Sequence, residues 1–74
     1  ELKADVAKAE AAIEDSERRI GELEARLSDP ATYADAEKML AAQTAYREEQ
    51  QRQAELYDAL EQAENALATF QAQP

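Results

Sequence analysis

The chain has no cysteine, no histidine and no tryptophan, and it carries one glycine, two prolines, one methionine and one phenylalanine in 74 residues. Each scarcity removes a class of explanation. Without cysteine or histidine the common zinc ligand sets are unavailable, and no disulfide can staple a small fold. The lack of cysteine also fits a reducing compartment. A single glycine cannot build a glycine-rich phosphate loop. No apolar run approaches the length needed to span a bilayer, so no membrane partner is expected. The first residue is Glu1 and no basic-then-apolar leader follows it, which reads as a fragment cut from a longer protein. Basic residues are also few: eight Lys and Arg stand against 17 Asp and Glu, a net charge of −9. As a whole the chain should repel polyanions.

Apolar content looks ordinary at 45%, but much of it is alanine. A chain of this size with so few large apolar side chains makes at most one small domain, and it cannot enclose a deep core. What it has instead is a pattern. Leu2, Val6, Ala9, Ile13, Ser16, Ile20, Leu23 and Leu27 follow one another at spacings of four and three residues without a break. A 3.5-residue repeat puts all eight on one narrow stripe of a helix, which suits a single partner helix better than a broad core. Two residues interrupt this first helix, predicted over 2–27. Ser16 is polar on the apolar stripe. Gly21 lies on the opposite face, as a tolerated surface residue or at a close backbone approach, and costs about 1 kcal/mol against alanine.

Ser28-Asp29-Pro30 ends that helix. Proline disfavours helical geometry in the residue before it and fits the first turn of a new helix, which Asp29 can cap. Ala31 to Ala34 reads as a short helical step, and Asp35 as the cap of a long second helix over 36–70, with Glu37 well placed in its first turn. A connection this short, over 28–35, makes the two helices antiparallel neighbours. The second stripe reads Met39, Ala42, Tyr46, Glu49, Gln53, Leu56, Leu60, Ala63, Leu67 and Phe70. Folding about the turn pairs residues whose numbers sum to about 66. Ile20 then meets Tyr46, Val6 meets Leu60, Leu2 meets Ala63 and Leu67, and Ser16 falls opposite Glu49, Gln50 and Gln53. The polar break of one helix thus faces the polar break of the other, which disfavours slipped registers. Phe70 overruns the first helix and would pair with residues before Glu1. The expected fold is all-α: a two-helix antiparallel coiled-coil hairpin.

Charge is uneven along the chain. Positions 18–52 hold seven acidic and six basic residues, whereas 1–17 and 53–74 together hold ten acidic and two basic. A polyanion contact would therefore fall on the turn-proximal half, where Arg18, Arg19, Arg26, Lys38, Arg47 and Arg52 are the candidate nucleic-acid-binding residues. The plainer reading is that these cations pair with Glu22, Glu24, Glu48 and Glu49. Asp15/Arg19, Glu22/Arg26 and Glu48/Arg52 have the four-residue spacing of surface ion pairs, each worth a few tenths of a kcal/mol. Tyr33 and Tyr57 are expected to pack at the seam edge rather than stack on bases. A two-helix rod offers no pocket that would tune a general acid or base, so neither catalysis nor a cofactor is expected of these residues.

Two stretches carry a resemblance. Leu23-Glu24-Ala25-Arg26-Leu27-Ser28-Asp29-Pro30-Ala31-Thr32-Tyr33-Ala34-Asp35 resembles the turn of the C-terminal coiled-coil (Uup-type) domain of ABC-F ATP-binding cassette proteins. Leu56-Tyr57-Asp58-Ala59-Leu60-Glu61-Gln62-Ala63-Glu64 is similar to the same family's downstream helix, with Leu60 where tryptophan is common and Ala63 where leucine is common. The resemblance implies a parent that is a cytoplasmic ATPase without a transmembrane domain, acting on ribosomes in translation. In some members the parent confers antibiotic resistance. ATP and magnesium would belong to the parent's cassettes, since no cassette motif lies in these residues. The hairpin would be an accessory arm that docks on the ribosome, on RNA or on the parent ATPase domains, and in some members it binds DNA. The acidic balance here leaves only the arginine group to carry that last role. Other readings are a hairpin arm of an aminoacyl-tRNA synthetase or a release factor, and a structural coiled coil with weak self-association. The tyrosine after Asp29-Pro30 and the Leu56-Tyr57 pair favour the ABC-F resemblance.

Overall fold

The computed structural model describes Glu1–Pro74 and contains three helices: α1 (Leu2–Leu27), α2 (Pro30–Tyr33) and α3 (Ala36–Ala72). No strand is present. α1 and α3 pack along their length and α2 lies against α3, giving a rod of 62 × 14 × 14 Å. The fold is thus the antiparallel helical hairpin expected from the two stripes.

Each helix starts on an acidic cap. The Glu1 carboxylate accepts from the Lys3 amide at 3.0 Å. Asp29 sits in extended geometry, accepts from the Ala31 amide at 2.9 Å, and is followed by Pro30 in the first turn of α2. Asp35, also extended, accepts from the amides of Glu37 and Lys38 at 3.0 and 3.1 Å. Each carboxylate satisfies amides that have no partner inside their helix and faces the positive end of the helix dipole. α1 closes with Ser28, whose amide and hydroxyl both donate to the Glu24 carbonyl at 3.1 Å. No residue in the chain has a positive φ. The reversal is therefore built from two aspartate caps and a proline, with no left-handed residue at all.

Side-chain coverage follows the stripes. All eight α1 seam residues are buried or half-buried, as is every seam residue of α3 from Met39 to Leu67. Phe70 remains 64% exposed, though it reaches the groove formed with Leu2 and Leu67. Only five residues are buried: Ile13, Ser16, Thr32, Ala42 and Glu49. Full burial of a leucine is worth about 1.5–3 kcal/mol, so the half-buried leucines here each contribute a fraction of that. α3 continues two residues past Phe70, to Ala72, because nothing in Gln71-Ala72 breaks a helix; Gln73 then turns extended, one residue before Pro74.

Gly21 is exposed, and a Cβ built on it would meet nothing within 4 Å. It is a surface residue and no close approach depends on it.

Candidate functional site

The one polar constellation shared by both helices lies where the two stripes lose their apolar character. Ser16, fully covered, donates its hydroxyl to Oε2 of Glu49 at 2.6 Å. The same oxygen accepts from Nη1 of Arg52 at 2.8 Å, one turn further along α3. Nη1 of Arg19 stands 3.7 Å from the other oxygen, Oε1. Asp15 extends the cluster on α1, with Arg18 at 3.2 Å and Arg19 at 3.8 Å. The result is a chain of alternating charge, Arg18–Asp15–Arg19–Glu49–Arg52, crossing from one helix to the other.

Glu49 is the centre of this cluster, with 7% of its surface exposed. Its pKa is lowered, chiefly by the Ser16 hydroxyl, with burial working in the opposite direction and the Arg52 and Arg19 guanidiniums adding to the fall. The rod is only 14 Å thick, so the carboxylate is covered by its immediate neighbours but not by a deep low-dielectric interior. That is why its hydrogen bonds outweigh its desolvation. Every buried polar side-chain atom in the protein has a partner. A second cross-helix link joins the Tyr57 hydroxyl to Oε1 of Glu17 at 3.2 Å, and the nearby carboxylate raises the Tyr57 pKa.

The structure separates the six candidate cations into two sets. Arg18, Arg19 and Arg52 are each held by Asp15 or Glu49. Arg26, Lys38 and Arg47 have no acidic oxygen within 4 Å. Arg19, Arg26 and Arg52 border one open groove of about 390 Å³ over Leu23 and Ala45, with Glu22, Glu48 and Glu49 interleaved. Arg26 and Lys38 border another at the turn, of about 460 Å³, together with Asp29 and Thr32. Arg47 is exposed and borders neither.

Two of the expected ion pairs do not form. Arg52 takes Glu49, three residues back, instead of Glu48, because Glu49 points into the seam and is already oriented by Ser16. Arg26 leaves Glu22 and stands free at the junction of the two grooves. Sequence spacing alone could not choose between Glu48 and Glu49 for Arg52. The useful signal was that Glu49 lies on the stripe and Glu48 does not. The exposure of Tyr33 (56%) and Tyr57 (48%) also leaves both rings more open than seam-edge packing suggests.

The two perturbed groups, a depressed carboxylate and a raised phenol, are both moved away from neutrality, and their polar atoms are committed to structural partners. No group of three or more acidic, His or Cys side chains is arranged to hold a metal ion. No helix is long and apolar enough to cross a membrane. No protein-family model matches the chain, and neither does a curated protein or a solved structure.

Proposed function

We propose that this hairpin is a non-catalytic accessory arm of a cytoplasmic ABC-F-type ATPase acting in translation, and that it docks on the ribosome, on RNA or on the parent's own ATPase domains. The observation that carries the reading is the reversal itself. Asp29 and Asp35 cap successive helices around Pro30, and the end so formed projects from a 62 Å rod with Tyr33 and Leu40 turned to solvent. That stretch is the one resembling the ABC-F turn. ATP and magnesium belong to the parent in this reading, and no residue of the hairpin holds either. Co-sedimentation with purified ribosomes tests it. The chain should pellet with ribosomes, or with the parent's cassettes, and a Tyr33→Ala, Leu40→Ala variant should pellet less. Absence from both pellets ends the proposal.

A second reading is nucleic-acid binding. It is favoured by the cations that no acid neutralises: Arg26 and Lys38, which share the turn groove, and Arg47. Phosphate contacts by these three would make affinity for a duplex fall steeply between 50 and 200 mM salt, with a log–log slope of about −3. Arg26→Glu, Lys38→Glu and Arg47→Glu should abolish it, while Arg18→Glu should matter less because Asp15 already holds that guanidinium. No anisotropy change at 50 mM salt rejects this reading.

A further inference from the structure

The turn-proximal and open halves of the hairpin differ in three independent respects. The first is burial. Every buried residue lies between Ile13 and Glu49, and none lies before Ile13 or after Glu49. Toward the open end the seam is Leu2, Val6 and Ala9 against Leu56, Leu60, Ala63 and Leu67, all half-buried; Ile20, Leu23, Leu27, Met39 and Tyr46 are half-buried too, but the turn-proximal half adds the covered Thr32 and Ala42. The second is charge. Residues 1–17 and 53–74 carry a net −8 and lie side by side, whereas 18–52 carries −1. The two basic residues of the open half, Lys3 and Lys8, form no ion pair with any of its acids. The third is cross-linking. Polar bonds between the helices occur at Ser16–Glu49 and Arg19–Glu49, and once on the open side of these, at Glu17–Tyr57; none lies nearer the open end.

These observations meet in one section of the rod, which runs from the Ser16–Glu49 layer past Ile13 to the Glu17–Tyr57 bond. We propose that this layer divides the hairpin into a rigid turn-proximal half and an electrostatically sprung open half. The two helices of the open half part as a unit, back to the Glu17–Tyr57 bond and the layer behind it, and ionic strength sets how often they do so. The physical basis is simple. The rod is 14 Å thick, which is well inside the roughly 30 Å Debye length at 0.01 M salt but exceeds the roughly 10 Å one at 0.1 M, so repulsion between carboxylates on its two helices is felt at low salt and screened at high salt. Their repulsion opposes a seam that has little apolar area to resist it. At the layer, opening would strip Glu49 of Ser16 and Arg19, and there the separation stops. Parting of the open half uncovers Leu2, Val6, Leu56, Leu60 and Leu67, so salt or a cationic partner controls whether this apolar strip is available. The device concerns the end of the rod remote from the docking turn and stands whether or not the arm belongs to an ATPase.

Amide hydrogen exchange on the 74-residue chain, read residue by residue at 10 and 200 mM salt, tests it. Protection should step down sharply between the layer and the open end. Exchange at residues 6–12 and 56–66 should slow by on the order of tenfold in the higher salt, with little change at 20–27 and 39–46. Replacing Glu10, Glu14, Glu55 and Glu61 with Gln should reproduce the high-salt protection at low salt, whereas Glu22→Gln, Glu24→Gln and Glu48→Gln together should not. Protection that declines smoothly from turn to termini, that falls in both halves together, or that ignores salt overturns the proposal.

Discussion

The Ser16 hydroxyl and the Glu49 carboxylate meet at 2.6 Å in the only fully polar layer of the seam, 33 residues apart in sequence. The pair fixes register more than it adds stability. Shifting one helix by a residue would leave a covered carboxylate without its donor, and an orphaned buried acceptor of this kind costs about 1–3 kcal/mol. Removing one partner should therefore hurt more than removing both. Glu49→Ala leaves the covered Ser16 hydroxyl and Arg52 without their partner, and Arg19 with Asp15 alone, and should lower the stability measured by urea unfolding by about 1–3 kcal/mol. Ser16→Ile with Glu49→Leu should raise the unfolding midpoint above that of the parent, because an apolar layer replaces a charged one. The same double variant should populate slipped or dimeric forms, seen by sedimentation.

The depressed pKa of Glu49 makes a signed prediction. Its folded pKa lies below its unfolded value, so its contribution is present in full above the unfolded value and is lost as pH falls through the folded one. The stability difference between the native chain and Glu49→Gln should therefore be constant near neutrality and shrink in acid, below the ordinary carboxylate range. Comparing the two proteins cancels the relief of repulsion that protonating the other acids brings. A difference that grows on acidification contradicts the assignment of Ser16 and the arginines as partners of the charged form.

Gly21 offers a gain. A methyl group there meets nothing within 4 Å, and the glycine sits in mid-helix with an ordinary φ. Gly21→Ala should stabilise the hairpin by about 1 kcal/mol and raise the thermal midpoint followed by circular dichroism. Destabilisation would show that this face is covered by something.

The two aspartate caps at the reversal can be ranked. Asp35 accepts two amides at the start of the longest helix, and Asp29 accepts one at the start of a four-residue helix. Asp35→Ala should cost about 1 kcal/mol or somewhat more, and Asp29→Ala less. Asparagine at position 35 should restore most of the loss, since it can accept the same bonds.

Much of this fold is legible from spacing alone. Residues from Leu2 to Leu27 and from Met39 to Leu67 recur at three and four, and those positions are the covered ones. The opposition of Ser16 to Glu49 follows once the chain is folded at Asp29-Pro30. Legibility fails where two side chains of one type compete for a third. Glu48 and Glu49 are both within reach of Arg52, and the winner is decided by which one the opposite helix has already oriented. Thr32 was equally hidden: it is 7% exposed because α2 lies against α3, and four residues are too few to show a period. The uneven charge along the chain points to all six candidate cations, but it does not reveal that Asp15 and Glu49 hold three of them and leave Arg26, Lys38 and Arg47 free.

The narrow seam has one last implication, for evolution by insertion. Seven residues add two turns to a supercoiled helix and return every side chain to its former azimuth. A matched heptad inserted into α1 and α3 on the open-end side of Ser16 and Glu49 would thus move the Asp29-Pro30 tip outward by about 10 Å while preserving its heading. An unmatched insertion would rotate the tip and bury the wrong residues. The hairpin is in this sense a gauge whose reach can change only in discrete, paired increments.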